Sequence, residues 1–201
     1  MGGLTSSINK LTKTINNLYN FNQKSKVSIC MEGLGCSGKT SIMYKLKYDE
    51  VTKTIPTAYF NVETFEHKSL LITLWDIGSQ NGIKELKKHY YEKTDCLIYV
   101  VDSSNSSSID LAREDLINLL NEDSLKSVEL LVVANKQDVS GALRANEIVD
   151  RLSLNQIKDR EWKVIGTSVL KGNNNDDVGI YEGLNWIENR FQEKQNKLSA
   201  K

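Results

Sequence analysis

The chain has 201 residues, enough for one domain that buries a core of its own. Lysine plus arginine equal aspartate plus glutamate at 26 each, so the formal charge is zero and no basic surplus points to nucleic acid. No apolar run reaches the roughly 18 residues of a membrane-spanning helix, and the start lacks the apolar core of a secretory signal, so the sequence reads as cytoplasmic.

The first residues, Met1-Gly2-Gly3-Leu4-Thr5-Ser6, match M-G-x-x-x-[ST], the signal for myristoylation at Gly2 once Met1 is removed. Behind them Leu4, Ile8, Leu11, Ile15, Leu18 and Tyr19 recur at helical spacing and give one apolar stripe. Such a stripe either packs on the domain or lies on a bilayer. One myristoyl chain binds membranes with K of only about 10⁴ M⁻¹, so stable attachment needs the helix as a second signal. Lys10, Lys13, Lys24 and Lys26 precede the first acidic residue, Glu32, but the polar face is richer in Asn and Thr, which predicts modest attraction to anionic lipid.

Strand-length apolar runs follow at 27–31, 60–65, 70–75, 97–101, 128–134 and 162–166. Segments of helical spacing lie between most of them, at 40–47, 83–92, 107–120, 145–152 and 180–192. The alternation predicts an α/β fold, a mainly parallel sheet with helices on both faces. Only Glu66, His67, Lys68 and Ser69 separate the second and third runs, too few for a crossover helix, so those two strands pair antiparallel. Cys30, Cys36 and Cys96 form neither a CxxC pair nor a metal-ligand spacing, as suits a reducing compartment. Cys30 and Cys96 read as packing residues. Glu114, Asp115, Glu122 and Asp123 read as the wet face of a helix, and His67 and His89 as surface or packing residues.

The first strand runs directly into Gly33-Leu34-Gly35-Cys36-Ser37-Gly38-Lys39-Thr40, a match to GxxxxGK[ST], and Ser41 continues into a helix. Glycines let backbone N–H groups wrap phosphates, and the helix N-terminus adds a favourable dipole. Lys39 is placed to neutralise the β- and γ-phosphates, and the Thr40 hydroxyl to ligate Mg²⁺. Next along the chain comes Thr57, whose hydroxyl can complete the metal shell while a third phosphate is present. Trp75-Asp76-Ile77-Gly78-Ser79-Gln80 then supplies DxxG. Asp76 can hold Mg²⁺ through water, the Gly78 N–H can reach the γ-phosphate, and Gln80 is the candidate catalytic residue that orients the attacking water.

These motifs specify a nucleoside triphosphate; Asn135-Lys136-Gln137-Asp138 specifies the base. The Asp138 carboxylate can accept from both N1–H and the 2-amino group of guanine, donors that adenine lacks. Each charge-assisted bond lost costs roughly 1.5–3 kcal/mol, so two discriminate strongly. NKxD alone is weak. After a phosphate loop, in this order, it is strong.

Taken together, GLGCSGKT, IPTAYFNVET, LWDIGSQ, KKHYY, VVDSS, ANKQDV and YEGLNWI resemble the Arf and Arf-like (ADP-ribosylation factor) branch of the Ras-related small GTPases over nearly the whole chain. The resemblance implies a P-loop NTPase fold with six strands, the second antiparallel. It implies a monomeric switch that binds GTP and GDP with Mg²⁺, hydrolyses GTP slowly unless a GTPase-activating protein helps, and is reloaded by an exchange factor. When GTP-bound it recruits effector proteins to membrane lipids, in vesicle-mediated transport at the Golgi or another endomembrane. It further implies that Thr167, Ser168 and Val169 contact the guanine, mainly through backbone, and that the hairpin at about 61–74 shifts register with GTP and ejects the N-terminal helix. Phe60, Trp75 and Tyr90 correspond to an effector-binding surface; core packing is the alternative for the same three rings.

The implied organisation is an N-terminal helix and linker at 1–24, a G domain at 25–195 and a polar tail at 196–201. The chain ends without a prenylation cysteine, unlike the Ras and Rab branches. It departs from the family pattern at Ser79, where a second glycine is usual, at Ala58-Tyr59, which replace Ile-Gly, and at Gly35, which replaces aspartate. Ser79 favours a second reading, a GTP-binding scaffold with little turnover. A third, a P-loop kinase for a small molecule, needs an acceptor-binding region and an arginine-bearing lid where NKQD and the two switch segments stand.

Overall fold

The computed structural model describes residues 24–50, 54, 57, 59–78, 84–169 and 178–199, with backbone alone at 84–86 and 178. The N-terminal stripe with Gly2, and Ala58, Ser79 and Gln80, lie outside the described residues.

Six strands form one sheet: β1 Ser25–Glu32, β2 Phe60–His67, β3 Leu70–Ile77, β4 Cys96–Asp102, β5 Glu129–Asn135 and β6 Trp162–Gly166, in the order β2-β3-β1-β4-β5-β6. β2 and β3 pair antiparallel and every other neighbour is parallel, as the short 66–69 connection requires. The connection is tighter than the sequence suggests. The strands run to His67 and restart at Leu70, and Lys68, at φ 48°, turns the chain.

Helices α1 Lys39–Tyr48, α2 Lys84–Tyr91, α3 Ile109–Leu120, α4 Ala145–Arg151 and α5 Val178–Ser199 cover the two faces. Successive strand side chains point to opposite faces, so each strand feeds two cores. Ile29, Met31, Ile98, Val100, Leu131 and Val133 pack with Ile42 and Met43 of α1 and Ile180, Leu184 and Ile187 of α5. Cys30, Leu97, Tyr99, Val101, Leu130 and Val132 pack with Ile109, Ala112 and Leu116 of α3 and Ile148 of α4. The buried positions of Cys30 and Cys96 agree with a packing role.

Two helix readings change in detail. α5 runs through Ser199, past the expected 180–192, because 193–199 contains good helix formers and no Gly or Pro, and Arg190 pairs with Glu193 one turn on. Its last turns therefore include 196–199, which the sequence suggests as a tail. Of the four acidic residues, Glu114 and Asp115 lie on the exposed side of α3, with Asp115 accepting the Tyr99 hydroxyl at 2.8 Å. Glu122 and Asp123 fall beyond the end of α3, where a single 3-10 turn Asp123–Leu125 begins.

Candidate functional site

The site forms at the carboxyl ends of β1, β4 and β5, where an open parallel sheet leaves loops free to converge. Between β1 and α1 the loop needs glycine twice. Gly33 has φ 140°, and a Cβ there would lie 2.2 Å from the Val100 carbonyl oxygen. Gly38, the residue before α1, has φ 100°, and a Cβ there would lie 2.2 Å from Asn135 Nδ2. Any side chain at either position would push the loop off the sheet. Cys36 takes the left-handed region at φ 62° without being glycine, and it is exposed.

Lys39 is 7% exposed and curls back along the loop, donating to the carbonyls of Gly33 at 2.8 Å and Leu34 at 3.2 Å. Burial pulls the Lys39 ammonium below its ordinary range, and the carboxylates of Asp76 and Glu32 oppose that pull. The ammonium is thus held at the rim of the loop, poorly hydrated, where a polyanion would be a better partner than two carbonyls.

Asp76, completely buried, gathers a set of oxygens. Its Oδ2 accepts from Thr40 Oγ1 at 2.6 Å, from Thr57 Oγ1 at 3.2 Å and from Asn61 Nδ2 at 3.3 Å, while Thr40 and Thr57 Oγ1 lie 2.9 Å apart. α1, the segment before β2, and β3 thereby meet at one point. Two hydroxyls and one carboxylate are hard oxygen donors, and Mg²⁺ accepts such a sparse set when phosphates and water complete the octahedron. Among the described residues no cluster of three His, Cys, Asp or Glu offers a rival metal site.

Three buried polar atoms support the fit of a polyphosphate and metal. Asp76 Oδ1, Ser37 Oγ and Asn135 Oδ1 have no hydrogen-bond partner among the described residues. Buried polar atoms are ordinarily paired, and three orphans around one loop mark a place for a polar guest.

The second loop is bonded to the first. Asn135, 3% exposed at the end of β5, donates Nδ2 to the Ser37 carbonyl at 2.8 Å. Lys136, at φ 65°, sends Nζ to Asp102 Oδ2 at 2.6 Å. Asp138 accepts the Ser168 hydroxyl at 2.6 Å, and the Gln137 N–H donates to the Thr167 carbonyl at 3.0 Å. The 135–138 and 167–169 loops are therefore one unit above Ser37. Val169 is buried in the core at 2% exposure. Ser41 lies one residue past the cradle, with Oγ 3.3 Å from Thr54 Oγ1.

Two residues here escape the motifs. Asn61 reaches the Asp76 cluster because the β2–β3 register sets it opposite Asp76. Asp102 reaches Lys136 because the β4–β5 register sets it opposite Asn135. The VVDSS segment was the available signal for Asp102; Asn61 had only its place in NVET.

At the other end of the cluster, the Gly78 N–H donates to the Tyr59 carbonyl at 2.8 Å, extending the hairpin ladder. Contact between this N–H and a phosphate requires exchanging that bond. Phe60, Trp75 and Tyr90 form one half-buried cluster, with ring centroids 6.0, 5.4 and 4.4 Å apart and Trp75 stacked on Tyr90.

A glycine cradle, a Thr-Thr-Asp oxygen cluster and an NKxD loop on this sheet define a P-loop GTP-binding protein of the small GTPase class. The sequence comparisons agree. The model of the ADP-ribosylation factor family matches residues 11–191. The chain is 43% identical over 192 residues to ADP-ribosylation factor J of Dictyostelium discoideum and 42% identical to ADP-ribosylation factor K of the same organism. Each match takes in 95% of this chain and all of the relative. The Arl6 BBS3 small GTPase of Trypanosoma brucei, solved with the nucleotide analogue GppNp, superposes with a TM-score of 0.74 at 29% identity, over 84% of this chain and 99% of that one. The protein belongs to the ADP-ribosylation factor family.

Proposed function

We propose that this protein is a GTP/GDP switch in which Thr40, Thr57 and Asp76 hold Mg²⁺ against the phosphates, Asp76 through water. Gly33, Gly35, Cys36, Ser37, Gly38, Lys39 and Ser41 line the phosphate side, and Asn135, Lys136, Asp138, Ser168 and Val169 the guanine side. The observation that carries the reading is the bond from Asn135 Nδ2 to the Ser37 carbonyl, which sets the base loop directly over the phosphate loop. With the terminal phosphate present, Thr57 and Gly78 are drawn to the site; its loss releases both segments. Gln80 orients the hydrolytic water, and hydrolysis is slow until an activating protein adds an arginine. Calorimetry with GDP, a GTP analogue and ATP, each with and without Mg²⁺, tests this. Tight guanine binding with no ATP binding is the expected result, and absence of any guanine-nucleotide binding refutes it.

The proposed output is recruitment of effectors to an endomembrane such as the Golgi during vesicle traffic, with the Phe60–Trp75–Tyr90 cluster as the contact surface. A myristoyl group on Gly2 and the apolar stripe at 4–19 supply the two membrane signals. A Gly2→Ala variant is expected to lose GTP-dependent liposome flotation; unchanged flotation removes the lipid anchor from the reading. A second reading, a GTP-bound scaffold with little turnover, is favoured by Ser79 in place of glycine and by the Gly78 N–H engaged on Tyr59. Single-turnover hydrolysis with an activating protein separates the two.

A further inference from the structure

A buried ion pair stands outside the residues assigned above. Glu32 is the last residue of β1, next to Gly33, and is 4% exposed. A carboxylate in such a place needs partners that replace water. Both come from α2: Lys87 Nζ lies 3.0 Å from Oε1 and 3.1 Å from Oε2, and Tyr91 donates its hydroxyl to Oε1. Tyr91 brings a hydrogen bond and no charge, so of the two only Lys87 neutralises the carboxylate.

The pair lies directly behind the ammonium that faces the phosphate side. Lys39 Nζ bonds the carbonyl of Gly33, the residue after Glu32, at 2.8 Å, and among the described residues it pairs with no carboxylate. Glu32 favours the charged form of Lys39 and Lys87 opposes it, so both fields reach the loop, and burial keeps water from screening them.

With Lys87 in place the pair is neutral as a unit, and the charge offered at the loop is that of Lys39. Without Lys87, an ionised Glu32 would stand uncompensated beside the loop, attracting Lys39 and repelling phosphate; both effects loosen a bound nucleotide. The carboxylate can escape that state by taking up a proton, toward which burial already pushes it above its ordinary 4.5. The other titratable groups that feel its charge are Lys39, Cys30 on β1, Tyr91 on α2 and Tyr99 on β4. Burial holds the thiol and both phenols in their neutral forms, which leaves Glu32 as the group that titrates.

We propose that Lys87 is the counter-charge that lets Glu32 sit beside the phosphate loop, and that this pair sets how fast the protein releases a nucleoside diphosphate. The inference rests on the guanine-nucleotide reading above. Glu32 and Lys87 are positioning residues, acting through the Lys39 ammonium.

Release of a fluorescently labelled GDP from the full chain, chased with unlabelled GDP at fixed Mg²⁺, tests this. At about pH 8.5 Lys87→Met should release GDP about tenfold faster than the parent, while Lys87→Arg keeps the parent rate. Toward about pH 6 the excess should shrink as Glu32 takes up a proton. Glu32→Gln should release GDP no faster than the parent, and adding it to Lys87→Met should bring the rate back to within about twofold of the parent. A merely structural clasp predicts otherwise: each single variant would loosen the site, the double variant would stay fast, and pH would not matter. Fast release in the double variant, an excess independent of pH, or a Lys87→Met rate within about twofold of the parent at both pH values overturns the proposal and leaves nucleotide binding intact. If Lys87→Met does not fold, Lys87→Gln carries the same expectations. A parent chain that binds no guanine nucleotide overturns the nucleotide reading, and the role of the pair with it.

Discussion

Asn135 Nδ2 donates to the carbonyl of Ser37 at 2.8 Å and also occupies the space that a Cβ on Gly38 would need. One amide thus bolts the 135–138 loop to the phosphate loop and fixes the residue at which α1 begins. Asn135→Ala leaves the Ser37 carbonyl without this donor in a buried place, at a cost of about 1–3 kcal/mol. If nucleotide binding depends on this join, GDP affinity should fall by roughly 10- to 100-fold while the sheet persists. Competitive displacement of a fluorescent GDP beside far-UV circular dichroism measures both.

Asp138 allows a sharper test of base recognition. Its carboxylate accepts the Ser168 hydroxyl through Oδ1 and has further lone pairs for two donors on a purine. Asparagine presents one acceptor and one donor, which mismatches the 2-amino group of guanine and matches the 2-oxo group of xanthine. Asp138→Asn should weaken GDP binding by roughly 100-fold or more and raise affinity for xanthosine diphosphate. A variant that retains GDP and ignores the xanthine nucleotide would remove Asp138 from base recognition.

The parts of the site visible in the sequence are those in which one residue type is forced by local geometry. Gly33 and Gly38 are required by positive φ and by contacts too close for any side chain, so their spacing survives as a motif. Asn61 and Asp102 are ordinary strand residues whose partners come from register, and no spacing along the chain encodes that Asn61 faces Asp76 or that Asp102 faces Asn135. Glu32 is less legible still. A charge at the end of an apolar run looks like the edge of a strand until α2 is folded over it. The strands were readable because both faces of a parallel sheet are buried, which leaves nearly continuous apolar runs. The end of α5 was not, since helix-forming polar residues carry it on without an apolar stripe.

Asp102 gives a pH dependence. Burial pushes its carboxyl up, but hydrogen bonds from Lys136 and Ser104 outweigh burial and hold it below the ordinary 3.8. A group depressed in the folded state contributes stability that is complete above its unfolded value and is lost as pH falls through the folded one. The contribution should therefore fade only below 3.8. Asp102→Asn lacks it at neutral pH, so the gap in denaturant midpoint between parent and variant should be constant from about pH 7 to about pH 5 and close toward about pH 3. A gap that widens on acidification would contradict this assignment.

The tip of the β2–β3 hairpin is latched to α5, and the latch can be opened without touching the nucleotide loops. Glu188, 5% exposed, accepts the Ser69 N–H at 3.1 Å and its hydroxyl at 2.6 Å, with Lys68 Nζ 3.6 Å away, while His67 Nε2 meets Asn185 Oδ1 at 2.9 Å. These bonds tie the hairpin tip to α5, and the β2–β3 ladder that begins there runs on to set Asn61 opposite Asp76. Glu188→Ala deprives the Ser69 N–H and hydroxyl of their shared acceptor, a loss of about 1 kcal/mol because Ser69 is itself exposed to water, and should lower Tm by roughly 2–4 °C. Hydrogen exchange should quicken first at 66–70 and, if register is transmitted along the hairpin, at 60–62 as well. Faster exchange confined to the turn would show that the ladder between β2 and β3 holds its own register without α5.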